Sequence, residues 1–334
     1  TLEDLQPLYQ AVAHGCQAGL QQEACDKVYR DRIQRGQEAY STKKLGAFGS
    51  DLGAVACFFE TPWSRVSPAL TEADQAWLLN EAAFRLRALG RLTEALEPMR
   101  AGIEGAVKLE DWKNAAIYSS NLSELELTLG EVAGAVGDAE QSVTYADRSG
   151  DAGMRMIMRT IHADALHQAG RRAEAAARFR EAEQMQAESQ PGYPLLYSLR
   201  GFQYCDLLLT DAERAAWQMS QRSEVRGQRS EWVKACRAVE QRAAQTLKWA
   251  EQNKLSLLTI ALDHLTLGRA ALYAAILEPR SRRRQSAPTC SAAEGDQRGL
   301  TSAATEIDRA VDGLRRAGTT HHLPRGLLTR AWLR

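Results

Sequence analysis

The stretch Leu89-Gly90-Arg-Leu-Thr-Glu-Ala95 decides the fold, because its pattern returns along the chain. Leu129-Gly130 followed by Ala135, and Ala169-Gly170 followed by Ala175, repeat it at a constant step of 40 residues. A fixed period of this length is typical of stacked supersecondary units that bury a shared core. The sequence therefore predicts an array of similar units.

Each unit reads as a helical hairpin. Glycine can take the left-handed conformation that ends a helix, and the following residues then turn the chain. The alanine five residues later lies where two helices approach closely. The side chains seven residues before each glycine are also small and fit the same contact; they are Ala83, Ser123 and Ala163. One helical turn after each alanine, on the second helix, the sequence has Met99, Ala139 and Phe179.

Flanking segments extend the pattern. Leu209-Thr210 and Ala215 keep the register without the glycine, and Ala18-Gly19 followed by Ala24 repeats it upstream. Thr71 is a predicted N-cap. Buried helical faces are predicted at i, i+4 spacing for two sets of residues, Trp77, Leu78, Ala82, Leu86 and Leu89, and Leu92, Leu96, Met99 and Ile103.

These residues resemble the tetratricopeptide-repeat family in its longer form, over about residues 75–220 and more weakly over 5–32. The resemblance implies an all-α fold, a right-handed superhelix of antiparallel helical hairpins with a repeat of about 40 residues. The family's aromatic first-helix positions are mostly absent, which leaves open a looser helical-hairpin solenoid.

The expected domain organisation follows from prolines, polar tracts and apolar periodicity. It comprises N-terminal hairpins (1–60), a Pro-containing loop (61–70), core repeats (71–225), long C-terminal helices (226–279), a mobile basic and small-residue loop (280–299) and C-terminal helices (300–334). The chain lacks an initiator Met and stops inside a predicted helix, so we expect a segment of a longer protein.

Composition narrows the function. Lys+Arg and Asp+Glu both number 42, so the chain lacks the global charge that attracts nucleic acid. Scattered cysteines without a C-x-x-C pair favour reduced thiols and a cytoplasmic setting. No uninterrupted apolar run reaches the ~18–20 residues that span a bilayer, so no membrane partner is expected.

Motifs of catalysis and cofactor binding are missing from the sequence. It contains no G-x-x-x-x-G-K-[ST], G-x-G-x-x-G, G-x-S-x-G or H-E-x-x-H. We therefore expect no enzyme, no cofactor and no metal site. An unrecognised site near His14, Cys16 and Cys25 stays open as an alternative. The four arginines in Arg280–Arg284 could contact phosphate or an acidic partner. The alternative interpretation is that they belong to a solvated loop without a binding role.

The family resemblance implies a working surface on the first helix of each hairpin, which lines the concave face. The positions carried over mix charged, hydrogen-bonding and aromatic side chains, a composition that suits a protein or peptide ligand. They are Asn80, Phe84, Arg87, Ser120, Glu124, Thr160, Asp164, His167, Arg200 and Tyr204.

The expected function is a non-catalytic protein- or peptide-binding module. The C-terminal sequence, from Leu257 to Gly268 and from Asp312 to Gly318, resembles the repeat and sensor regions of bacterial signal-transduction ATPases and related defence proteins. That resemblance implies a sensor or scaffold segment of a larger signalling protein. A free-standing peptide-responsive regulator remains the alternative. The sequence leaves the oligomeric state undetermined.

Overall fold

A computed structural model describes residues 1–219, 228–278 and 292–333, with the side chains of 219 and 292–299 excluded. The predicted contact tract Arg280–Arg284 lies outside these residues. The fold is all-α. Helices account for most of the described chain, and consecutive helices pack as neighbours. The α-helices are α1 (Leu2–Gln17), α2 (Gln21–Glu23), α3 (Phe48–Ala56), α4 (Glu72–Ala88), α5 (Leu92–Lys108), α6 (Trp112–Leu129), α7 (Val132–Ser149), α8 (Ala152–Gln168), α9 (Arg172–Ser189), α10 (Ser198–Met219), α11 (Arg229–Gln252), α12 (Leu257–Leu277), α13 (Ala292–Ala317) and α14 (Leu323–Leu333).

The chain forms two compact units. Unit 1 comprises Thr1–Pro194 together with Arg316–His321, and unit 2 comprises Leu195–Arg315 together with His322–Arg334. The division at Pro194 falls inside the range 71–225 that the sequence analysis treats as one repeat region.

Unit 1 begins with an irregular helical region. Helix α2 continues as a π-helix over Ala24–Gln34, and a second π-helical turn covers Tyr40–Lys44. Between them, Arg35 and Ala39 take the left-handed conformation, with φ of 55° and 46°. Residues other than glycine rarely adopt this conformation, and π-helices are themselves rare. The segment from Arg35 to Lys44 is therefore held by its tertiary contacts.

The predicted loop over 61–70 contains a small antiparallel ladder. Strands β1 (Phe59–Thr61) and β2 (Arg65–Val66) pair Phe59 with Val66. The two prolines, Pro62 and Pro68, lie outside the paired residues, so they remove no ladder hydrogen bond.

Three helical hairpins follow, α4–α5, α6–α7 and α8–α9, each with its two helices in close contact. Gly90, Gly130 and Gly170 have φ of 79°, 87° and 77°, which confirms the predicted left-handed helix ends. The alanines five residues later and the small residues seven residues before are all buried without exposed surface. Thr71 accepts a hydrogen bond from the Asp74 amide, which confirms the predicted N-cap.

Unit 2 contains α10 to α12, most of α13, and α14. The predicted turn between Leu209 and Ala215 does not form, because α10 runs through both residues. Without a glycine at position 210 no residue there readily takes the left-handed conformation, so the helix continues. Gly268 also lies inside a helix, where an added Cβ would lie 2.5 Å from Ile307 Cγ1; this glycine permits close packing of α12 on α13.

One helix in the described residues is long and apolar enough to cross a membrane. Its most apolar window within Leu257–Leu277 has a mean hydropathy of 1.3, and 78% of that window is buried inside the protein. This segment does not form an uninterrupted apolar run in the sequence, because Asp263, His264 and Arg269 lie within it. Length and burial together are typical of a core helix as well as of a membrane span.

Helix α13 begins at Ala292, inside the range 280–299 that the sequence predicts as a loop. Its buried face contains Ile307, Val311 and Leu314.

Candidate functional site

A pocket of about 380 Å³ lies within unit 1. Its walls are α4, α6 and residues from 30 to 43, which include the end of the first π-helix, the joining segment and the second π-helical turn. The volume is in the range of small-ligand and peptide side-chain sites. The lining residues are Arg30, Gln34, Gly36, Gln37, Ala39, Thr42, Lys43, Trp77, Asn80, Glu81, Phe84, Arg85, Asn114, Ile117, Tyr118 and Asn121.

Two asparagines from neighbouring helices meet in this pocket. Asn121 Nδ2 on α6 donates to Asn80 Oδ1 on α4 over 3.0 Å. Within the described residues no other group bonds to Asn80 Nδ2 or Asn121 Oδ1, and neither atom is sealed from solvent. The pair therefore presents a donor beside an acceptor, and exchanging N and O in both amides would give the same arrangement.

An ion pair joins the same two helices further along. Arg87 Nη1 lies 2.6 Å from Glu124 Oε2, and the Arg87 side chain is 5% exposed. The guanidinium also lies over the Phe84 ring, 5.3 Å from its centroid. Four of the predicted site residues are thus brought together on α4 and α6, because positions 37 to 41 apart occupy equivalent places on successive first helices.

A buried polar network supports the pocket floor. Arg85 Nε donates to Asp51 Oδ2, both side chains being almost fully buried, and Arg85 Nη1 lies 2.9 Å from Glu81 Oε2. Tyr29 donates to the same Asp51 oxygen over 2.9 Å, and Gln34 Nε2 donates to Tyr29 and Glu81. Burial alone would lower the pKa of Arg85, but the facing Asp51 and Glu81 carboxylates raise it, so the arginine stays charged.

The pocket also contains two cations at its rim. Arg30 is neutralised by Asp26 and Asp74, at 2.7 and 2.6 Å, and stacks over the Trp77 ring. Lys43 is exposed and has no charged partner among the described residues. Of these two cations, Lys43 is the one that no carboxylate of the described residues pairs with.

The other predicted site residues lie elsewhere. On α6 and α8, Ser120 and Thr160 are buried and donate to the carbonyls of Ile117 and Ile157. Thr160 has no exposed surface, so its predicted outward orientation is wrong: α6 and α8 pack side by side and cover it. Two further residues on α8, Asp164 and His167, are half-buried.

Arg200 and Tyr204 belong to unit 2, on α10. Arg200 is half-buried and Tyr204 is 9% exposed, so neither is an open surface residue. Burial lowers the pKa of Arg200. The ring of Tyr204 packs under the Arg242 guanidinium at 4.9 Å.

Sequence reasoning missed Asn121, Tyr118 and the π-helical wall of the pocket. Asn121 carried a usable signal, since it lies 41 residues after Asn80, close to the repeat step. The wall formed by Gly36 to Lys43 carried none, because its position depends on long-range contacts.

The alternative site around Cys16 and Cys25 lacks an activated thiol. Burial raises the pKa of both thiols to about 12. A nucleophilic or metal-binding cysteine needs the thiolate, which is scarce at neutral pH for such a pKa. Ligand atoms of Cys25, Asp26 and Asp74 do lie within 4.8 Å of one another, but the Arg30 guanidinium already occupies both carboxylates.

No protein-family model matches the chain, and no curated protein is significantly similar to it.

Proposed function

We propose that this chain is a non-catalytic protein- or peptide-binding module and that an extended segment of the ligand binds in the unit 1 pocket. The observation that carries the proposal is the Asn80–Asn121 pair. A peptide group has one N–H donor and one C=O acceptor, and the free donor and acceptor of the pair complement both. Each such hydrogen bond contributes about 0.5–1.5 kcal/mol to binding.

The pocket walls support a peptide over a small polar solute. Trp77, Phe84 and Ile117 are half-buried, and Tyr118 lies behind them with 2% exposure. An apolar wall beside a polar pair can hold one ligand side chain while the backbone is fixed by hydrogen bonds. Lys43 lies at the rim, where it can contact a ligand carboxylate.

The finer architecture that we propose for unit 1 is a tetratricopeptide-like, right-handed stack of hairpins. Its support is the 40-residue glycine step, together with the packing of α5 on α6 and of α7 on α8. A second repeated detail is the bidentate pair at the start of α5 and α9, where Arg91 binds Glu94 and Arg171 binds Glu174 with the same 2.8 and 2.6 Å distances.

The cellular role that we propose is a sensor or scaffold segment of a larger cytoplasmic signalling or defence protein, without a membrane or nucleic acid partner. The resemblance of the C-terminal sequence to bacterial sensor regions supports the signalling role. The zero net charge supports the absence of a nucleic acid partner. In this role the pocket receives a signal peptide or a partner protein, and another domain performs the chemistry.

Selection from a phage-displayed random-peptide library, followed by fluorescence anisotropy with the selected peptides, tests the binding proposal. Asn80→Ala and Asn121→Ala should each weaken binding by roughly tenfold, the loss of about one hydrogen bond. Thr144→Ala is the matched control, since this exposed hydroxyl on α7 bonds only to the Glu140 carbonyl of its own helix.

Circular dichroism of each variant establishes that the helices are intact. Selected peptides that bind both asparagine variants as tightly as wild type would exclude the pocket as the peptide site. Failure to select any peptide would reject peptide binding itself.

A further inference from the structure

Two carboxyl groups meet inside the second hairpin of unit 1. Glu126 on α6 is 6% exposed, and Asp138 on α7 is half-buried against it. Asp138 lies one helical turn beyond Gly134 on α7, on the face that the Glu126 carboxylate approaches, so the two carboxyl groups are neighbours. Gly134 on α7 makes room for the Glu126 side chain, because a Cβ at that position would lie 2.7 Å from Glu126 Oε2. The close approach of the two acids is therefore built into the helix contact.

Positive charge near the pair is weak. Arg100 on α5 approaches Glu126 Oε1 only to 3.6 Å, and its side chain is 52% exposed. The other oxygen, Oε2, is buried and has no hydrogen-bond donor among the described residues. Two ionised carboxylates would repel each other there and leave this oxygen unsatisfied, which is costly in a buried site.

We infer that Glu126 and Asp138 share one proton and that loss of this proton weakens the packing of α6 on α7. The shared proton supplies the missing donor, since a protonated carboxyl donates to a facing carboxylate. The arrangement makes the hairpin a pH-sensitive element, independently of what binds in the pocket.

Burial shifts the pKa of both carboxyl groups upward, the direction that a shared proton requires. Burial, and then the Asp138 charge, raise the pKa of Glu126 from 4.5 to about 7, and burial also raises the pKa of Asp138. In the unfolded chain the glutamate loses its proton near 4.5. Between these values the folded state binds more protons than the unfolded state, so stability falls as pH rises through this window. Above about 7 both states are deprotonated and the dependence flattens.

Other charged groups around the two helices are engaged elsewhere. Glu124 on α6 binds Arg87 of α4, and the charged neighbours of His162 on α8 are, from the strongest to the weakest, Arg178, Glu140, Arg171 and Glu174. Burial lowers the pKa of His162. Its deprotonation therefore falls at a lower pH than that of an ordinary histidine. A neutral folded histidine makes stability rise with pH, which is opposite in sign to the effect of the carboxyl pair.

Urea unfolding of the full chain between pH 5 and 8 tests the inference, with wild type compared to Glu126→Gln. The glutamine amide donates to Asp138 at every pH and so replaces the shared proton. The unfolding equilibrium constant of wild type, divided by that of the variant, should rise with pH by up to about tenfold per unit below pH 7 and then level off. Glu104→Gln, an exposed site on α5, is the control and should leave the wild-type profile unchanged.

Hydrogen exchange, corrected for intrinsic rates, locates the effect. Protection of the α6 and α7 amides should fall with rising pH in wild type and stay level in Glu126→Gln. Parallel pH profiles of wild type and variant would overturn the inference. If Glu126→Gln does not fold, Asp138→Asn takes its place, because its amide donates to Glu126 in the same way and must flatten the same profile.

Discussion

Replacing Arg85 by Met should destabilise unit 1 far more than any surface charge change. The Arg85 side chain is 2% exposed and contacts Asp51, which is completely buried, and the half-buried Glu81. Methionine fills much of the arginine volume but leaves the Asp51 carboxylate without its cation. Removing one partner of a buried ion pair costs about 3–5 kcal/mol, because the remaining charge stays desolvated.

That cost translates into a measurable melting shift. Each kcal/mol moves Tm by roughly 2–4 °C for a domain of 150–250 residues, the size range of unit 1. Arg85→Met should therefore lower the Tm of this unit by roughly 6–20 °C. Differential scanning calorimetry of the full chain, with unfolding also followed by circular dichroism, measures the shift.

Two further variants separate the ion pair from packing. Arg91→Met removes an exposed pair with Glu94, whose side chain is 47% exposed, and should leave Tm nearly unchanged, because solvent screens such a pair. Asp51→Asn combined with Arg85→Met removes the buried charge while Tyr29 can still donate to the asparagine, so it should recover part of the loss. A Tm shift for Arg85→Met no larger than that for Arg91→Met would refute the reasoning.

Three further predictions concern the glycines of the second hairpin, the thiols of Cys16 and Cys25, and Thr160. Gly130→Ala should destabilise the protein by roughly 1 kcal/mol, because φ at this position is 87°. Gly137→Ala, in the helical part of α7 with open space around it, should stabilise the protein by about 0.5–1 kcal/mol. Urea unfolding measures both changes in stability, and changes of the same sign would contradict the backbone argument. Burial raises the pKa of the Cys16 and Cys25 thiols to about 12, so at pH 8 both should react with iodoacetamide more than about a hundredfold slower than a free thiol. Peptide mass spectrometry measures the labelling, and fast labelling would support a cysteine-based site. Thr160→Val should leave peptide affinity unchanged in the anisotropy assay, since Thr160 has no exposed surface; a tenfold loss would restore it to the binding surface.

The hairpins could be predicted from the sequence because their signal is local. A glycine that ends a helix, such as Gly90, leaves its mark in the residue type, since few others take that conformation at low cost. The same local reasoning failed at Thr210, where the repeat register continues but the glycine is missing. The helix then follows propensity and runs on to Met219.

The candidate site was only partly predictable. Asn80 and Phe84 follow from the register, because equivalent positions on stacked helices face the same side. The opposite wall of the pocket does not, since Arg35 and Ala39 adopt left-handed conformations that no sequence rule assigns to them. Thr160 fails for a related reason: helix periodicity gives the direction of a side chain but not the distance to the next helix that covers it.

The hydrogen bond between Asn80 and Asn121 also has an entropic consequence. Each amide already restrains the rotation of the other before any ligand arrives. Ordering a mobile side chain upon association costs about 0.5–1.5 kcal/mol, and here that ordering accompanies folding instead. A ligand that accepts from one asparagine and donates to the other would therefore meet side chains whose rotation is already restrained, and its binding would cost less conformational entropy than binding to freely rotating amides.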